Sequence, residues 1–231
     1  MNTPLIKVII PAINEETSIA KVIAEIPVNI SEIIVVDNGS VDKTAEVAKN
    51  AGATLLSEPE IGYGNACLRG MQYVAAFDTP PDIIVFLDGD YSDYPSEMTN
   101  LIAPIINKNI DLVVGARKPE LQEKGSMTLP QRFGNWLATT LMRWFFKSEF
   151  TDLGPFRAIK YDKLVQLKMV DRTYGWTVEM QLKALKQHLS YTEIPVRYKN
   201  RIGTSKVSGT LKGAICAGVK ILSWIFKYSF K

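Results

Sequence analysis

Short, wholly apolar runs alternate with amphipathic stretches through the first half of the chain. Lys7-Val-Ile-Ile10 reads as a strand stopped by Pro11. Asn14-Glu-Glu-Thr-Ser then opens a helix whose apolar positions Ile19, Val22, Ile23 and Ile26 recur at helical spacing before Pro27 closes it. Glu32-Ile-Ile-Val-Val-Asp37 is a buried strand running into Asn38-Gly-Ser-Val-Asp42, with a helix from about Lys43 to Asn50. Ala53-Thr-Leu-Leu56 is a short third strand, and the glycine-bearing run Gly62 to Gly70 leads into another helix. Ile83-Ile-Val-Phe-Leu87 is apolar throughout, as a parallel strand covered on both faces must be. Asp111-Leu-Val-Val-Gly-Ala-Arg117 is one more strand, ending in a charged loop. Strand, polar turn and helix in such quick succession indicate βαβ units and a doubly wound α/β sheet.

The second half is less regular. Between Pro130 and Lys147, the side chains of Phe133, Trp136, Leu137, Leu141, Trp144 and Phe145 form one helical stripe bracketed by basic residues. Such a stripe is either core or a helix lying on a membrane surface, where indoles are favoured. Thr151 to Arg157 is a polar loop before a strand, Gly175 to His188 a helix, and Glu193 to Arg197 an edge strand because it contains Pro195. From Leu211 the chain is basic and amphipathic, with Lys212, Lys220, Lys227 and Lys231 on one arc and Leu211, Ile215, Val219, Leu222, Ile225 and Phe226 opposite. Lysines interrupt this run too often for a membrane span of about 20 apolar residues. An interfacial helix anchored by Trp224, or a helix docked on the domain or on a second copy, both fit. The expected division is a domain over residues 1–210 and a terminal amphipathic helix over 211–231.

Composition narrows the chemistry. With 231 residues, 46% apolar and 22% charged, the chain can bury a substantial core, and a net charge of +3 gives no general case for nucleic acid. His188 is the only histidine, and Cys67 and Cys216 are isolated, which argues against a zinc site, a Cys-His nucleophile and a Ser-His-Asp triad. Unpaired cysteines and an N-terminus without a signal-peptide pattern point to the cytoplasm.

The richest chemistry follows the apolar run at Ile83. Asp88 and Asp90 stand two apart beyond a strand's carboxyl end, where open α/β sheets bind ligands. Both carboxylates can approach one hard cation such as Mg²⁺ or Mn²⁺, or one ribose; a plain Asp-Gly turn is the bland alternative. Asp37 could bind a base or ribose, or merely cap the next helix. The run through Gly62 and Gly64 could let backbone approach a phosphate, or simply make a tight turn into a helix. Glu179 falls at a helix start, where a carboxylate complements the dipole. Arg201-Ile-Gly-Thr-Ser205-Lys206 is a basic loop suited to a diphosphate. No P-loop and no first-turn dinucleotide motif is present.

Together these motifs resemble family 2 glycosyltransferases of the GT-A fold, in the polyprenyl-phosphate (dolichol-phosphate mannose synthase-like) branch, over about residues 5 to 210. Pro11-Ala-Ile-Asn14-Glu15 is similar to the family's P-x-x-N-E around the base, and Val36 to Asp42 to its V-D-D-G-S-x-D, with Asn38 in place of the second acid. Gly62-Tyr-Gly64-Asn-Ala66 resembles G-x-G-x-A, and Asp88-Gly89-Asp90 resembles the D-x-D that carries ribose and metal. A glutamine often follows in the branch where this chain has Ser92. Arg117 and Arg132 resemble phosphate-reading arginines, Asp152 to Arg157 resembles D-x-x-S-G-F-R, and Arg201 to Lys206 resembles R-x-x-G-x-S-K, one residue shorter.

The resemblance implies inverting transfer from a nucleoside-diphosphate sugar, with a UDP- or GDP-sugar as donor. Pro11, Asn14, Glu15, Asp37, Gly64, Asp88 and Gly89 would bind the nucleotide sugar, with Asp37 and Asp88 fixing base and ribose. Asp90 would hold Mg²⁺ or Mn²⁺ with Asp88, while Arg157, Arg201, Ser205 and Lys206 would meet the diphosphate. A saccharide hydroxyl as acceptor would need a base, for which Asp152 and Glu179 are candidates. A polyprenyl phosphate is already ionised and could be held by Arg117 and Arg132. That acceptor would put the enzyme at the inner face of the plasma membrane, as a monomer or a homo-oligomer.

Overall fold

A computed structural model describes residues 3–203 and 211–229. Ser205 and Lys206 lie outside the described residues. Seven strands form one sheet in the order β3-β2-β1-β4-β6-β5-β7. They are β1 (Ile6–Ala12), β2 (Glu32–Asp37), β3 (Thr54–Ser57), β4 (Ile83–Phe86), β5 (Leu112–Gln122), β6 (Arg157–Lys160) and β7 (Tyr191–Tyr198). All neighbours pair in parallel except at β6, which is antiparallel to both β4 and β5. Pro195 sits on edge strand β7, where its missing N–H costs no ladder bond. Pro11 does not stop β1, since the strand runs one residue further to Ala12.

Helices cover both faces. On one side lie α1 (Ile19–Glu25), α2 (Thr44–Asn50) and α4 (Met98–Lys108), packed on Val8, Ile10, Val35 and Val85. On the other lie α3 (Tyr63–Ala75), α5 (Leu129–Phe146), α6 (Tyr161–Leu167), α7 (Trp176–Lys186) and α8 (Leu211–Ser229), over Ile9, Ile34, Ile84 and Phe86. Covering both faces is what makes β4 apolar at every position. Two helices were not legible in advance: α4, which carries Pro104, and the short α6.

The aromatic stripe on α5 is not core. Its buried residues are Ala138, Thr139 and Met142, while Phe133 is 61%, Trp136 59% and Trp144 73% exposed. Helix α8 packs on α5 and α7 through Ile221, Trp224, Ile225 and Tyr228. Trp224 is therefore no interfacial anchor: it is buried, and its indole N–H donates to Asp171 Oδ2 at 2.6 Å. The other edge of the helix's apolar arc stays outside, with Val219 and Phe226 exposed and Phe226 meeting Phe145 of α5. Among the described residues, no helix is long and apolar enough to cross a membrane.

Candidate active site

The strands β1, β2 and β4 point their carboxyl ends at one cleft with two lobes. The first lobe is lined by Pro11, Ala12, Glu15, Asn38, Ile61 and Gly89 and occupies about 260 Å³. The second, about 320 Å³, runs beneath α5 and α8 past Arg117, Met127, Gly134, Leu153, Gly218 and Ile221. Tyr63, Asp88, Asp90, Tyr174 and Arg201 line both lobes and so mark their junction.

The acids at that junction are held tightly. Asp90 is buried; its Oδ1 accepts from the Ser92 N–H at 2.9 Å and hydroxyl at 2.5 Å, and its Oδ2 lies 3.1 Å from Arg201 Nη1. Arg201 reaches Glu15 Oε1, also at 3.1 Å, with its other terminal nitrogen. The stretch after β7 brings this arginine over the strand ends: Lys199 N–H donates to the Ser92 carbonyl and Ile202 N–H to that of Asp90. Asp88 Oδ1 is sealed from solvent with no hydrogen-bond partner among the described residues. Burial, with the Asp90 charge beside it, pushes the Asp88 carboxyl up to about 7. Asp93, fully enclosed and not singled out in the sequence, also leaves both carboxylate oxygens without a partner, and burial raises its carboxyl well above the usual range.

This donor set fits a hard cation of incomplete protein ligation. Among the described residues, no three Asp, Glu, His or Cys side chains converge as a closed metal cage. Mg²⁺ and Mn²⁺ are commonly held by one or two carboxylates, with water and substrate phosphate completing the shell. Asp88, with its unpartnered oxygen, and Asp90 are the residues that could do this.

The first lobe explains several motif residues differently from their expected roles. Asn14, at φ 53°, binds the turn after β2: its N–H donates to Ser40 Oγ and its Oδ1 accepts from Val41 N–H. Asp37 accepts from Ser40 N–H at 3.2 Å at the end of β2. Asn38 donates to the carbonyls of Glu58 and Glu60 and accepts from Gly62 N–H. A carboxylate could not make those two donations, which is the physical reason for asparagine where the family motif has an acid. The structure does not bring Gly64 to the cleft. A Cβ there would come within 2.1 Å of the Asp171 carbonyl, and the Gly64 N–H donates to the Thr173 carbonyl. The backbone that the glycines admit is the protein's own.

Around the second lobe, Asp152 grips Arg117 from one side. Its carboxylate accepts from Arg117 Nε at 2.8 Å, from Nη2 at 2.6 Å and from the Arg117 backbone N–H at 2.7 Å. Arg117 lines the lobe and stacks over Tyr198, whereas Asp152 is buried behind it. Arg132 is exposed and reaches Gln122, so the lobe is lined by its neighbours Pro130 and Gln131 instead. Arg157 departs from its expected diphosphate role. It is fully buried, gives its protons to the carbonyls of Leu153, Gly154 and Thr177, and burial lowers its guanidinium to about 10. Glu179 is likewise enclosed, accepting from the N–H groups of Val170 and Asp171 and pairing with Lys183 at 2.7 Å. Neither Glu179 nor Asp152 is placed as a base.

One residue with no motif organises much of this. Asp171, buried, accepts from Thr173 N–H, Gly175 N–H and the Trp224 indole, and pairs with Lys220. It fixes the loop that carries Thr173 and Tyr174 into the cleft, and it docks α8. In the sequence it is an acid within ordinary turn chemistry, without a signal of its own.

Residues 7–167 match the family model described as Glycosyl transferase family 2. The chain is 35% identical over 220 residues to an uncharacterised glycosyltransferase of Mycobacterium tuberculosis, covering 92% of this chain and 94% of that one. A dolichyl-phosphate hexose transferase of Haloferax volcanii is 29% identical, with 90% of this chain and 88% of that one covered. Glucosyl-3-phosphoglycerate synthase of Mycobacterium tuberculosis, crystallised with Mn²⁺, uridine diphosphate and phosphoglyceric acid, shares the fold. Its TM-score is 0.78 at 22% identity, over 98% of this chain and 78% of that one.

Proposed function

The chain belongs to glycosyl transferase family 2, with its GT-A architecture, and on that premise we propose that it transfers one sugar from a nucleoside-diphosphate sugar to a polyprenyl phosphate at a membrane surface. The observation that carries this reading is the two-lobed cleft meeting at Asp88, Asp90 and Arg201. The nucleoside fits the lobe beyond β1 and β2, beside Pro11, Glu15 and Asn38, and the acceptor fits the lobe under α5 and α8. The diphosphate would lie between them at the junction.

Charge development on the departing diphosphate is the main barrier, and preorganised positive groups lower it. Arg201 stands at the junction for that purpose, with Ser205 and Lys206 following it in the chain. A divalent cation on Asp88 and Asp90 would add Lewis-acid neutralisation of the same charge. The acceptor oxygen attacks the anomeric carbon from the face opposite the leaving phosphate, giving inversion. A hydroxyl acceptor would have to lose a proton, yet Asp152 and Glu179 are both engaged. A phosphate monoester, with a second pKa of about 6, attacks without a base. This favours the lipid phosphate over a saccharide hydroxyl. Arg117, paired with Asp152 and lining this lobe, would hold that phosphate with its remaining guanidinium protons.

The exposed aromatic residues of α5 beside the acceptor lobe support membrane association. The test is transfer from a panel of UDP- and GDP-sugars to farnesyl phosphate in Mn²⁺, read by mass spectrometry. A glycosyl phosphate product that disappears with excess EDTA is expected. Full activity in EDTA would remove the metal, and transfer to free saccharides alone would remove the lipid acceptor.

A further inference from the structure

The second lobe continues beyond the acids into a crevice between α5 and α8. Its walls there are Met127, Pro130, Leu153 and Ile221, with Gly134 of α5 and Gly218 of α8. Glycine in a helix interior is unfavourable unless something needs the space. At Gly64 and Gly70 of α3 a neighbour does: an added Cβ would come within 2.1 Å of the Asp171 carbonyl or 2.7 Å of the Ile9 side chain. At Gly134 and Gly218 an added Cβ would meet nothing within 4 Å among the described residues. Protein packing among those residues therefore does not account for either glycine. The inner end of the crevice is the buried Asp88 oxygen that has no partner. Phe133 and Trp136, both exposed, flank the lining residues Gly134 and Asn135 on α5, and the exposed basic residues Arg132, Arg143 and Lys147 stand on or just beyond the same helix.

We propose that this crevice is the channel for the prenyl chain of the acceptor, with its phosphate toward Arg117 and its width set by Gly134 and Gly218. The inference rests on the polyprenyl-phosphate reading and adds which residues select the chain. An apolar passage running from two carboxylates to an aromatic surface with basic neighbours suits a molecule that is anionic at one end and hydrocarbon at the other.

The test uses Gly134→Leu and Gly218→Leu with the matching alanine variants in the full chain. Thermal unfolding and titration with UDP and GDP report the fold and the donor lobe, and farnesyl phosphate is the acceptor probe. The alanine variants should hold or raise Tm. The leucine variants should bind nucleotide as the parent does, while KM for farnesyl phosphate rises about tenfold or more, the scale of overpacking a filled crevice. If a leucine disturbs the fold, the alanine pair decides, through a smaller rise in KM at undiminished Tm. Parental KM in all four variants overturns the channel while leaving the lipid acceptor standing. No transfer to any prenyl phosphate by the parent overturns the functional reading and the channel with it. A dimer broken by the leucines at unchanged KM would assign the crevice to a second copy.

Discussion

Asp88 stands two residues beyond β4 with a carboxylate oxygen shut off from water, and that placement has a measurable cost. Its carboxyl is raised to about 7 by burial and by the Asp90 charge, against about 3.9 in an unfolded chain. The folded state thus holds this proton more tightly, and the contribution to stability is full below about pH 4 and lost as pH rises through about 7. Each pKa unit is worth about 1.4 kcal/mol, so the ionised side chain opposes folding most at neutral pH and above. Asp88→Asn should therefore abolish transfer while raising Tm, and by more at pH 8 than at pH 5. Thermal unfolding at the two pH values checks this. An equal shift at both would show that the charge of Asp88 is not what strains the site.

At the scale of elements, one carboxylate pins the terminal helix beside its apolar packing. Asp171 receives the Trp224 indole and Lys220 from α8 while bonding two backbone N–H groups of its own loop. Removing it leaves the buried Trp224 indole and Gly175 N–H without an acceptor, while the 41% exposed Lys220 can turn to water, a loss of about 1–3 kcal/mol. Asp171→Ala should lower the denaturant midpoint and shift Trp224 emission to the red. It should also weaken nucleotide binding, because Thr173 and Tyr174 ride on the same loop. A variant with parental stability and a free α8 would contradict this role. The same contacts make deletion of the tail a poor probe of membrane binding, since it would strip Trp224 and Ile225 from the core.

The whole molecule presents an exposed aromatic face on α5 that meets Phe226 of α8 across their seam. Trp136→Ser combined with Trp144→Ser leaves the core untouched, as both indoles point outward. The parent should sediment with anionic liposomes at low salt and be released as salt rises, because surface electrostatics screen over about 10 Å at 0.1 M. The double variant should remain in the supernatant with an unchanged Tm. A parent that never sediments would remove the membrane surface from the proposed function.

The sequence by itself determined the sheet and the position of its chemistry. Runs such as Ile83 to Phe86, short, wholly apolar and rich in β-branched residues, suit strands buried on both faces, and polar residues at their carboxyl ends gather at one edge of a parallel sheet. That local logic makes Asp88, Asp90 and the basic residue Arg201 legible in the sequence alone. It could not reveal which polar groups would be used up by the protein itself. Arg157 and Gly64 occupy motif positions and Glu179 a helix start, yet each is spent on the protein itself: the backbone carbonyls of residues 153, 154 and 177, the 170–171 amides, and the 171–173 loop. Periodicity likewise gave α5 and α8 an apolar side without saying what covers it. Which edge of an apolar arc meets protein and which meets solvent depends on long-range packing, and only the tertiary structure decided that Trp224 faces inward while Trp136 and Trp144 face out.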